Sequence, residues 1–130
     1  MPSAPATATN AQTWPKDRRL LRRADFRTTY EQGMRRSSRH FTIFGITRPQ
    51  AVPGQRFGIT ASKKLGPAVV RNRIRRRTRE LLRRLPPSAA CAADFVINPR
   101  PSVAEANLDE LAHELGEQLQ RLCRSLAANP

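Results

Sequence analysis

The chain is 130 residues long, room for one domain with a modest core, and sets 24 Lys plus Arg against 10 Asp plus Glu, a formal charge of +14. Like charge on that scale works against a small folded domain unless a polyanion meets it, so nucleic acid is the first partner class to consider. No run approaches the ~20 apolar residues of a membrane span, and the N-terminus has neither the basic nor the apolar region of a secretory leader, so the chain reads as cytoplasmic.

Residues 1–15 are Ala, Pro, Thr and Ser with almost no charge and read as a disordered extension, leaving 16–127 as a single domain. Arg19–Gln32 predicts a first helix. Phe26 and Tyr30, four apart, share one of its faces, Asp25 favours its dipole, and Gly33 suits a left-handed stop. Arg39–Thr47 (RHFTIFGIT) has the composition of a strand, with Phe41 and Ile43 on one face and Thr42, Phe44 and Ile46 on the other. A turn over 48–53 leads to a second strand, Gln55–Ser62, and a hairpin between the two is the simplest pairing.

Gly66-Pro67 opens a second helix that runs to Leu85 and stops at Pro86-Pro87. After a small-residue loop, Asp94–Asn98 predicts a buried strand. Asn107–Leu126 predicts a last helix, with an apolar stripe of Leu108, Leu111, Leu115, Leu119 and Leu122. The fold class is α+β, a small mixed sheet packed with helices in the order α-β-β(-β)-α-β-α. The β-α-β crossover makes the strands that flank the second helix parallel. Cys91 and Cys123 lack partners at metal-ligand spacing and are expected as reduced thiols packing as small hydrophobes. His40 and His113 read as ordinary core or surface histidines.

The chemistry concentrates in the second helix. At about 100° per residue, Val70, Ile74, Leu81 and Leu85 form a core-facing stripe, and Arg71, Asn72, Arg73, Arg75, Arg76, Arg79 and Arg83 sweep across the other side. A merely solvated face would mix signs, yet Glu80 is the only acid there. Lys63 and Lys64 extend the cationic surface around the helix N-terminus, itself favourable for anions. Arginine's planar fork suits phosphates and stacked bases. Without helix-turn-helix or zinc spacing, and with Phe26, Tyr30, Phe41 and Phe44 available to stack unpaired bases, RNA is the better fit than DNA.

The stretch GITASKKLGPAVVRNRIRRRTREL resembles the signature of the protein component of bacterial ribonuclease P, supported by RLLRRADFRTTYEQG and SRHFTIF upstream and ADFVINPRP downstream. The resemblance spans residues 19 to 125. It implies a separate catalytic RNA that cleaves the 5′ leader from precursor tRNA with Mg2+, the protein binding that RNA and the leader as a monomer in a 1:1 complex. It carries Lys63, Lys64, Arg71, Asn72, Arg73, Arg75, Arg76 and Arg79 into the RNA-contacting set. Phe26, Tyr30, Phe41 and Phe44 go into a leader-binding cleft, with no catalytic or metal-binding residue in the protein. It also implies a left-handed β-α-β crossover. The ten acids, scattered along the chain, show no compact cluster for two metal ions. Arg77 departs from the pattern by falling within the apolar stripe, where its stem must snorkel or the helix must be rotated in its seat. A ribosomal-type protein using the same helix on rRNA is the alternative reading. A nuclease in its own right is less favoured, and a membrane-surface helix least, since the stripe is narrow and lacks Trp or Phe.

Overall fold

The computed structural model describes residues 19, 22–48, 54–85 and 91–128, so the N-terminal extension and most of the 48–53 and 86–90 segments lie outside the described residues. In chain order the elements are α1 (Arg23–Gln32), β1 (Met34–Ser37), β2 (Phe41–Thr47), β3 (Gln55–Ile59), a 3₁₀ turn (Lys63–Leu65), α2 (Ala68–Arg84), β4 (Ala93–Pro99), a second 3₁₀ turn (Pro101–Ala104) and α3 (Leu108–Ala128). They form a mixed α+β domain on one four-stranded sheet of order β1-β2-β4-β3.

β4 explains that order. Six of its seven residues are buried, as expected of a strand covered on both faces and flanked on both sides. It pairs antiparallel with β2, Ile43 opposite Ile97, and parallel with β3, Phe57 opposite Phe95. The predicted β2–β3 hairpin is therefore corrected, because β4 lies between the two strands. Its contribution outweighs nearness in sequence. The hairpin that does form joins β2 to β1, Arg35 opposite Phe44 and Ser37 opposite Thr42. The predicted parallel β-α-β unit is β3-α2-β4.

Alternation along each strand divides the molecule into layers. Phe41 and Ile43 of β2, Phe57 of β3 and Phe95 and Ile97 of β4 join Ile74, Leu81 and Leu82 of α2 and Leu111, Leu115, Leu119, Leu122 and Leu126 of α3 in one core. Each such side chain withdrawn from water contributes roughly 1.5–3 kcal/mol. α3 caps its own start through Asn107, whose Oδ1 accepts the N–H groups of Asp109 and Glu110.

Helix α1 packs on the opposite face of the sheet. Its exit needs Gly33 for space rather than for a left-handed turn: φ is −80°, and an added Cβ would sit 2.4 Å from the Thr29 carbonyl oxygen and 2.7 Å from that of Gly45. Positive φ occurs instead at Gly54, φ 93°, just before β3, and at Gly66, φ 128°, between the first 3₁₀ turn and α2.

Cys91 and Cys123 are joined as a disulfide, their Cα atoms 5.7 Å apart across a sequence separation of 32, so the expectation of two reduced thiols is corrected. Cys91 leads into β4 and Cys123 lies late in α3. The packing of α3 on the sheet brings the two together, which spacing along the chain does not reveal.

Candidate nucleic-acid interface

On α2 the buried residues are Ile74, Thr78, Leu81 and Leu82, with Val70 and Leu85 at the margin. Relative to the projected stripe the seat is turned by about 35° toward Thr78 and Leu82. The Thr78 hydroxyl is satisfied by donating to the Ile74 carbonyl at 2.8 Å. That turn resolves Arg77, which lies at the edge of the seat and donates from Nε to Val103 O at 2.8 Å and from its Nη2 to Ala106 O. Arg73 donates to Ala104 O at 2.7 Å. Arg73 of the cationic arc and Arg77 beside it thus close the turn between β4 and α3, whose carbonyls would otherwise be poorly satisfied.

The remaining cations divide by what holds them. Arg71 reaches back to Gly66 O, and Arg75 donates to the Asn72 side chain at 2.9 Å, which fixes the Asn72 amide. Arg83 and Arg84 both pair with Glu80, whose carboxyl is held below its usual range first by the hydrogen bond from Arg83. The side chains of Arg76, Arg79, Lys63 and Lys64 make no hydrogen bond or ion pair with any described residue, and all four residues are exposed. A shallow groove on this outer ridge is lined by Val69, Asn72, Arg75, Arg76 and Arg79. An outward ridge of cations whose one neighbouring acid, Glu80, is neutralised by Arg83 and Arg84 is suited to a polyphosphate surface.

The predicted aromatic set separates. Tyr30 and Phe44 meet edge to face, centroids 4.8 Å apart, between α1 and the outer face of β2. The Tyr30 hydroxyl donates to Asn98 Oδ1 at 2.9 Å and lies 2.8 Å from Thr60 Oγ1, so the ring is pinned to β4 and the end of β3. Phe26 is half-buried on the same helix, one turn earlier. Phe41 is corrected: it lies on the core face of β2, fully buried, and presents no ring to a base.

Two features of this face escaped the sequence reading. Arg35 stands with its guanidinium carbon 6.0 Å from the Phe44 ring centroid, on a short strand without apolar alternation. Asp94, buried in β4, accepts two bonds from Arg56 at 2.8 and 2.7 Å, and Arg56 also lies 3.6 Å from Asp25 of α1. The Asp94 hydrogen bonds, more than any other cause, hold Arg56 above its usual range. This chain of charges ties the start of α1 to the sheet.

Known proteins share this architecture and sequence. The Ribonuclease P family model matches residues 14–123. Ribonuclease P protein components of Desulfovibrio desulfuricans and Geobacillus kaustophilus are 39% and 36% identical. The matches cover 86% and 82% of this chain and 88% and 87% of those proteins. Among solved structures, the RNase P protein of Staphylococcus aureus superposes with a TM-score of 0.64 at 28% identity, covering 79% of this chain and 93% of that one. That of Thermotoga maritima gives 0.61 at 25%, covering 82% and 96%. With most of the chain matched in both sequence and fold, this protein belongs to the ribonuclease P protein family.

Proposed function

We propose that this chain is the protein subunit of a ribonuclease P ribonucleoprotein. It binds the catalytic RNA along α2 and the 5′ leader of precursor tRNA on the outer face of the sheet, and so assists 5′ maturation of tRNA in the cytoplasm. The observation that carries the reading is the exposed ridge of Arg76, Arg79, Lys63 and Lys64, whose neighbouring acid, Glu80, is taken up by Arg83 and Arg84, in a chain of this family. Arg71, Asn72, Arg73 and Arg75 flank that ridge, each keeping donors beyond those used internally. Tyr30 and Phe44, with Phe26 beside them, form the surface for unpaired leader bases.

Magnesium in this reading is bound by the RNA and supplies the activated water of the cleavage step. The carboxylates beside the two surfaces, Asp25, Asp94 and Glu80, are each engaged by arginine and offer the ion no open cluster of oxygens. The protein contributes grip and placement, one copy per RNA. Binding to a ribonuclease P RNA across a salt series tests the reading. We expect log K to fall against log[salt] with a slope of several units, and the slope to be shallower by about 2 in the R76A/R79A double variant. A flat response, or one the double variant leaves unchanged, would mean that the ridge is only solvated.

A further inference from the structure

Cys91 and Cys123 are the chain's two cysteines, so all of its thiol chemistry lies in one bridge. The bridge closes the segment that contains β4, the second 3₁₀ turn and most of α3. The middle of that segment is held independently: Arg77 and Arg73 of α2 donate to the carbonyls of Val103, Ala104 and Ala106. Near its end Leu122 is buried against β2, where a Cβ added to Gly45 would lie 2.9 Å from Leu122 Cδ2. The segment therefore has its own packing, and the bridge adds to that packing rather than standing in for a core.

The two sulfurs differ in access. Cys91 is buried, whereas Cys123 is half-buried. Gln55 at the start of β3 donates a weak hydrogen bond to Cys123 Sγ at 3.5 Å. Arg121 and Arg124 stand exposed on either side of it in α3, and no acid follows Glu117 in the chain. A partly exposed sulfur among cations is open to attack by a small anionic thiolate.

We propose that Cys91 and Cys123 form a reversible redox site, poised by a small thiol such as glutathione, that sets how firmly the end of α3 is tied to the sheet. The inference takes its cytoplasmic setting from the reading above, because lasting disulfides are rare in a reducing compartment and those found there are mostly catalytic or redox-sensing. Reduction proceeds by exchange. A thiolate attacks Cys123 Sγ, the Sγ–Sγ bond breaks, and Cys91 leaves as a thiolate that takes up the proton its attacker gave up. A second small thiol attacks the mixed disulfide and releases Cys123 in the same way. Two small thiols end as one disulfide, and their two electrons reside in the two protein thiols. Oxidation by the small disulfide runs these steps backwards. The ridge residues of α2 lie outside the closed segment, so the site changes how long the fold survives and leaves its grip on RNA alone.

The test equilibrates the full chain in glutathione buffers from strongly reducing to oxidising, then alkylates free thiols and weighs the protein by mass spectrometry. Two free thiols are expected at the reducing end and the bridge at the oxidising end, with the same curve approached from either side. Proteolysis of the RNA-free protein should be roughly 100-fold faster in the reduced form, as closure of a loop of this length implies. C91S/C123S should match the reduced rate in every buffer, and the titration of the parent stands without that variant. Affinity for a ribonuclease P RNA should differ less than two-fold between the two forms. A bridge that persists through the most reducing buffers is a permanent cross-link and overturns the switch. So does a bridge that never forms under oxidising conditions, a proteolysis rate blind to redox state, or an RNA affinity that follows it. Loss of RNA binding in both forms would count against the RNA-binding reading alone, since the titration and the proteolysis use no RNA.

Discussion

Arg77 and Arg79 are two residues apart and have opposite tasks. Arg77 closes the carbonyls of Val103 and Ala106, whereas Arg79 points outward with no described partner. Arg77→Ala should therefore cost about 1–3 kcal/mol of stability in chemical denaturation, since it leaves carbonyls unsatisfied. Arg79→Ala should stay within about 0.5 kcal/mol of the parent and weaken RNA binding instead. Periodicity placed both residues on α2 but could not assign these tasks. The 3₁₀ turn at Pro101–Ala104 that needs Arg77 has no sequence period of its own, and the seat of α2 is set by Thr78, a polar residue counted outside the apolar stripe. Glu80 gives a pH test at the same scale. Its pKa is lowered on folding, so its contribution is present above the unfolded-state value of 4.5 and is lost as the pH falls through the lowered value. Glu80→Gln should flatten that part of the acid limb of a stability–pH profile, modestly, because the carboxyl is partly exposed to solvent.

At the scale of elements, the helices were legible because an amphipathic stripe or a proline stop marks each one. The pairing of the strands was not, since a hairpin was inferred from nearness in sequence. The clue to the true order was already in DFVIN, a run apolar enough to be buried on both faces and so to need a neighbour on each side. Gly33 was read correctly as a stop and for the wrong reason. What it provides is room where the end of α1 presses on the backbone of Gly45. Gly33→Ala should therefore destabilise the fold by about 1–3 kcal/mol, as overpacking does, and a urea midpoint measures it. The Cys91–Cys123 bridge closes a loop of separation 32, worth about 3–4 kcal/mol in the chain-entropy account. Adding a thiol reductant should lower the melting midpoint by about 10 °C or more and leave a C91S/C123S double variant unmoved. A parent protein whose melt ignores reductant would show that the bridge contributes nothing.

Across the whole molecule, the sheet separates two surfaces of different character. One is the cationic ridge of α2. The other is the outer face, where α1 is anchored by Asp25–Arg56–Asp94 at one end and by Tyr30–Asn98 near the other. Composition points to a polyanionic partner, and the exposed cationic face of the second helix was legible as the candidate surface for it. The second was half legible, because strand alternation separates Phe44 from Phe41 but does not say which face the core takes. A protein that grips one RNA and guides another should raise cleavage without cutting anything itself. The direct measurement is cleavage of precursor tRNA at low magnesium by a ribonuclease P RNA, with and without this protein, beside the protein alone. The account predicts cleavage at the mature 5′ end only when both are present. Site-specific cleavage by the RNA-free protein, or no gain when it joins the RNA, would contradict it.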